Sequence, residues 1–197
     1  MVGFVQITQP SEWKRFEKQC NSDPYKKFYK CFEDAVQMNG LLSVMRHGFK
    51  HRGIDFKVCY FKPESTLNTA AVERYKQNVC QCIRQWHYSE QNNKSIDMML
   101  AINGIPVVAI ELKNQLTGQT VDNAKLQWQY DRDQREPAFW LNHRILAYFA
   151  VDLYEAWMTT ELKGSDTYFL PFNQGSNGAG NDGGSGNPEA EDDNYVT

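Results

Sequence analysis

Apolar positions recur along this chain with two periods, and the periods divide it into elements. Helical spacing comes first. In "PSEWKRFEKQC", Pro10 and Ser11 open a helix with Trp13 and Phe16 on one face. In "DPYKKFYKCFEDAVQMNG", Phe28, Phe32, Ala35 and Val36 fall on one helical face. Asp23 is the expected cap, Pro24 the first helical residue, and Asn39-Gly40 the stop. A short second helix follows over 41–46, and "NTAAVERYKQ" reads as another. Strand spacing takes over in "GIDFKVCYF", where Ile54, Phe56, Val58 and Tyr60 share a face, and again in "NVCQCIRQWHYS". "SIDMMLAINGIPVVAIELKN", residues 95–114, reads as two apolar strands joined at Asn103-Gly104. "TVDNAKLQWQYDRDQRE" has no breaker and predicts one helix up to Pro137. "RILAYFAVD", "EAWMTTEL" and "TYFLPF" predict three further strands. Helices first, then strands mixed with helices, predict an α/β fold: a mixed central sheet flanked by helices.

The character changes at Asn173, where "NQGSNGAGNDGGSGNPEAEDDN" is rich in Gly, Asn and acid. The expected division is a domain over 1–172 and a flexible loop or linker over 173–197. The glycines make no phosphate cradle, because no Lys-Ser/Thr follows them. The net charge of -3 excludes a global positive field that would steer a polyanion. Cys20, Cys31, Cys59, Cys80 and Cys82 are odd in number and contain no CxxC pair, which points to free thiols in a reducing cytoplasm. No signal peptide opens the chain, and no apolar run reaches the ~18 residues of a membrane helix.

The 95–114 hairpin raises the chemical question. Asp97 lies near the start of its first strand, and Glu111 and Lys113 end the second. Glu111 and Lys113 are two apart and share a face; Leu112 points to the other. A two-residue loop at Asn103-Gly104 would set Asp97 opposite Ile110, on the wrong face. A three-residue loop, or an equivalent bulge, would set it opposite Glu111. Two carboxylates ~4 Å apart repel by ~4 kcal/mol at an effective dielectric of ~20. A divalent cation offsets that repulsion better than one lysine does. Mg²⁺ suits one or two carboxylates, water and a phosphate substrate. Lys113 would then orient or deprotonate water, or stabilise charge at the phosphate. The alternative is a surface Glu111–Lys113 pair worth under ~1 kcal/mol. Against it, the strand is apolar almost to its end, as a buried strand would be.

A second cluster, "RHGFKHRGIDFK", packs Arg46, His47, Lys50, His51, Arg52 and Lys57 together. It is either a phosphate-facing patch, centred on Arg46, Lys50 and Arg52, or ordinary solvated charge. His47 and His51 have metal-pair spacing, but Gly48 between them and the lack of an adjacent glutamate argue against a zinc site. The five tryptophans read as core or half-buried residues.

"IELKN" after "DMMLAINGIPV" resembles the PD-(D/E)xK nuclease superfamily. The wider text, including "GLLSVMRHGFKHRGIDFKVCYFKPES", "YDRDQREPAFWLNHR" and "FAVDLYEAWMTTEL", resembles the N-terminal region of the R subunit of type I restriction–modification enzymes. The resemblance implies a restriction-endonuclease-like fold and Mg²⁺-dependent cleavage of double-stranded DNA. Asp97, Glu111 and Lys113 match the family's catalytic triad, and the Leu112 carbonyl is implied as a further metal ligand. A supporting Gln-x-x-x-Tyr motif maps onto Gln127, with Tyr130 one residue early and Asp131 at the matching position. The implied partners are DNA, the methyltransferase and specificity subunits, and an ATP-driven motor elsewhere on the same chain. The family usually has an upstream helix that carries a site glutamate, and runs on towards the motor; a trimmed fragment is therefore expected. Two other functions fit the same residues: a non-catalytic docking module of that complex, and a solitary repair or defence nuclease.

Overall fold

The computed structural model describes residues 1–20 and 22–172; the expected 173–197 linker lies outside them. The described chain forms two compact units. The first comprises residues 1–81, 100–106 and 142–144, and the second the remainder.

The first unit is mainly helical: α1 (Val2–Thr8), α2 (Pro10–Gln19), α3 (Pro24–Asn39), α4 (Leu41–His47) and α5 (Thr69–Lys76), with a small antiparallel pair, β1 (Phe49–His51) and β2 (Ile54–Phe56). Asp23 caps α3 as expected, accepting from the amides of Tyr25 and Lys26. Phe16, Phe28, Phe49 and Phe56 pack ring against ring at 5.1–5.9 Å and form the centre of the unit. The strand expected over 53–61 is confined to β2, although Ile54, Phe56 and Val58 are all buried.

The second unit holds most of a six-stranded sheet. Its strands are β3 (Cys80–His87), β4 (Ser95–Ile102), β5 (Ile105–Leu112), β6 (Ala147–Val151), β7 (Ala156–Thr159) and β8 (Leu170–Pro171), lying side by side in that order. β5 pairs with β6 in parallel, and β6, β7 and β8 pair antiparallel, so the sheet is mixed as predicted. One helix, α6 (Val121–Leu126), follows β5. Asp152 accepts from the Val121 amide at 2.9 Å and fixes where α6 begins. Val121, Ala124 and Trp128 join Ile96, Ala109, Ile145, Tyr148 and Ala150 in the core of the unit. All five cysteines are free thiols.

Two expectations need correction. The helix predicted up to Pro137 is regular only to Leu126. It continues as a π-helical turn, Gln127–Asp131, and leaves helical geometry at Arg132. Fully buried Trp128 anchors that turn by donating from its indole to the Phe149 carbonyl at 2.9 Å. The β4–β5 loop, in turn, has two residues and not three. Asn103 (φ 54°) and Gly104 (φ 80°) are both left-handed, the combination that a tight primed turn requires. Asn103 is buried, accepts from the Val79 amide and donates to the Val58 carbonyl, each at 2.8 Å. Asp97 nevertheless reaches the end of β5, where its carboxylate accepts from the Leu112 amide at 2.9 Å.

Candidate active site

β5 lies between β4 and β6, so a side chain at its carboxyl end is flanked by strands on both sides. Glu111 occupies that end and is 0% exposed. A lone carboxylate there would be costly. Arg132, itself buried, meets it by donating from Nε at 2.9 Å and from Nη2 to the same oxygen, Oε1. Nη2 also donates to the Ser95 carbonyl at 2.8 Å, and the guanidinium lies over the Tyr88 ring. Glu111 Oε2 is buried with no hydrogen-bond partner. Burial pushes the Glu111 carboxyl up to about 7; Arg132 opposes that rise, and neighbouring Asp97 adds to it.

Asp97 reaches this position from β4. Its Oδ2 accepts from the Leu112 amide at 2.9 Å, and its Oδ1 from Gln85 Nε2 at 3.2 Å. Lys113 directly follows β5 and stays in the ladder, its amide donating to the Val151 carbonyl at 2.8 Å. Its ammonium donates to Gln127 Oε1 at 2.5 Å.

The structure therefore brings Asp97 to Glu111 and Gln127 to Lys113, all within the second unit. Gln127 is no solvated bystander, because the π-helical turn aims it at the lysine. Tyr130 is 67% exposed and lines a shallow cleft with Lys94, Arg132 and Arg135. Arg46, Lys50 and Arg52 belong to the first unit and are exposed; Lys50 pairs with Asp55 at 3.7 Å. Sequence reasoning missed Arg132 and Gln85. Arg132 stands among exposed charges in "YDRDQRE", and Gln85 is an ordinary residue of an edge strand.

The donor set suits a hard cation. A buried carboxylate oxygen without a partner, beside a second carboxylate, offers oxygen ligands and negative charge. Among the described residues, no group of three or more His, Cys, Asp or Glu side chains is placed to hold a metal. Two carboxylates leave room for water and phosphate oxygens, as Mg²⁺ sites commonly do.

A mixed sheet flanked by helices, with a carboxylate pair and a lysine at the end of an interior strand, is consistent with the nuclease-like class of α/β folds. The type I restriction enzyme R protein N terminus family matches residues 8–167, and the chain belongs to that family. No curated protein and no solved structure matches it significantly. Among the described residues, no helix is long and apolar enough to cross a membrane.

Proposed function

We propose that this chain is the DNA-cutting domain of a type I restriction R subunit, hydrolysing phosphodiester bonds in double-stranded DNA with Mg²⁺ at Asp97 and Glu111. The observation that carries the reading is the unpartnered, buried Oε2 of Glu111 beside the Asp97 carboxylate. When bound, the cation supplies an acidified water and neutralises charge on the phosphoryl group.

The protein's residues supply position and counter-charge. Arg132 fixes Glu111 through Oε1 and leaves Oε2 available. The Leu112 amide and Gln85 fix both oxygens of Asp97, and the Leu112 carbonyl is the third ligand in this reading. Lys113 uses one donor on Gln127 and keeps two for a phosphate oxygen or the attacking water. Tyr130 and Lys94 flank the approach and contact the DNA backbone. In this reading the activity works inside a larger assembly, in which the methyltransferase and specificity subunits choose the site and an ATP-driven motor delivers duplex in the cytoplasm.

The test is Mg²⁺-dependent plasmid cleavage by the complete restriction complex. Asp97→Ala is expected to abolish cutting while assembly and ATP hydrolysis persist. Undiminished cutting by that variant would refute the reading.

A further inference from the structure

Gln85 has a backbone φ of +50°, in the interior of β3. Left-handed geometry is unusual for a residue that is neither Gly, Asn nor Asp. Trp86, the next residue, is half-buried against the core of the second unit. The same geometry turns the Gln85 side chain towards β4. Its Oε1 accepts from Ser95 Oγ at 2.8 Å, and its Nε2 donates to Asp97 Oδ1 at 3.2 Å. The amide cannot be reversed without facing its oxygen towards the Asp97 carboxylate. Gln85 is exposed, so core packing does not account for this conformation.

We infer that Gln85 is a positioning residue for Asp97, held in a left-handed backbone conformation so that its amide pins one carboxylate oxygen while the Leu112 amide pins the other. The inference rests on the metal-site reading above. With both oxygens fixed, Asp97 is held in one orientation beside Glu111. Without the Gln85 amide, Asp97 keeps one tether and rotates about it, so cation retention and turnover fall while DNA binding does not.

Gln85→Gly is the informative variant. Glycine adopts positive φ freely and keeps the strand's path, yet it removes the amide. Mn²⁺ binding to the chain, followed by calorimetry, is expected to weaken about tenfold, with an unchanged or higher Tm. In the complete complex, kcat for cleavage is expected to fall about tenfold at unchanged KM. Gln85→Asn, which also tolerates this geometry but is one carbon shorter, should show the same pattern. Parental Mn²⁺ affinity and kcat in both variants would overturn the inference. Asp97→Ala distinguishes the two levels of the account. If that variant loses Mn²⁺ while Gln85→Gly retains it, only the positioning role fails. If Asp97→Ala binds Mn²⁺ like the parent, or the parent binds none, the metal-site reading fails and the role of Gln85 falls with it.

Discussion

Arg132 gives two hydrogen bonds to Oε1 of Glu111 and none to Oε2, so one carboxylate carries a fully engaged oxygen and a buried oxygen with no partner. Ion pairing alone would favour a two-pronged arrangement with both oxygens engaged. The one-sided geometry fixes the side chain through one oxygen and leaves the other unengaged.

Removing Arg132 should therefore be severe. Arg132→Met leaves Glu111 buried and uncompensated, and breaking a buried pair from one side costs about 3–5 kcal/mol. Arg132→Lys keeps the charge but cannot reach Glu111, Ser95 and Tyr88 at once, so it should recover only part of the loss. Chemical denaturation of the three proteins checks both statements. A loss under about 1 kcal/mol in the Met variant would show that the pair contributes little.

The pH dependence of stability follows from the raised Glu111 carboxyl. Its ordinary value is 4.5 and its folded value about 7. Between these, the folded chain keeps a proton that the unfolded chain has released. Glu111 thus makes stability fall as pH rises from about 4.5 to 7, by up to roughly 3 kcal/mol, and level off above. Glu111→Gln carries no titrating group and should lack this component. Denaturation midpoints of both proteins from about pH 4 to 8 test the difference; parallel curves would contradict it.

Much of this was legible in the sequence. The apolar run of β5 closing on Glu-Leu-Lys marked the interior strand and the charged residues at its end, and Asn103-Gly104 marked the turn. What was not legible depends on backbone departures that side-chain identity does not encode. Strict alternation placed Asp97 on the wrong face of a two-residue hairpin, yet its carboxylate accepts from the Leu112 amide and acts on Glu111. A helical repeat carried past Leu126 gives no reason to single out Arg132. The π-helical turn shifts the phase so that Arg132 is buried while Asp131, Asp133 and Arg135 stay exposed. The left-handed conformation of Gln85 is equally silent, because nothing about glutamine asks for it.

Trp128 joins fold to site. It fills the core behind the π-helical turn and is bonded to the Phe149 carbonyl, while its neighbour Gln127 holds Lys113. Trp128→Ala should cost about 3–5 kcal/mol through the cavity it leaves. Gln127→Ala should cost almost nothing in stability while still lowering cleavage. Thermal unfolding beside plasmid cleavage separates the two. Equal destabilisation by both variants would make Gln127 a packing residue.

Lys113→Ala should lower cleavage by the complete complex by about 10²-fold or more, the scale of losing one charge-stabilising donor. ATP hydrolysis and translocation should continue if, as proposed, they belong to a separate motor and Lys113 acts only at the phosphate. The isolated chain should cut poorly even with Mg²⁺. A net charge of -3 gives no broad steering field, and non-specific DNA contacts are typically no tighter than ~10⁻⁶ M at physiological salt. Parallel loss of ATP hydrolysis in Lys113→Ala would point to a structural lysine. Robust cutting by the isolated chain that disappears in Asp97→Ala would show an autonomous nuclease.

The central claim is that Asp97 and Glu111 share one cation, and crystals of the chain grown with Mn²⁺ test it most directly. The account predicts an anomalous-scattering peak within coordination distance of Glu111 Oε2 and an Asp97 oxygen, with Arg132 still bonded to Oε1 and no peak in Asp97→Ala crystals. An ordered site without that peak, or with Oε2 taken up by a protein donor instead, would contradict it.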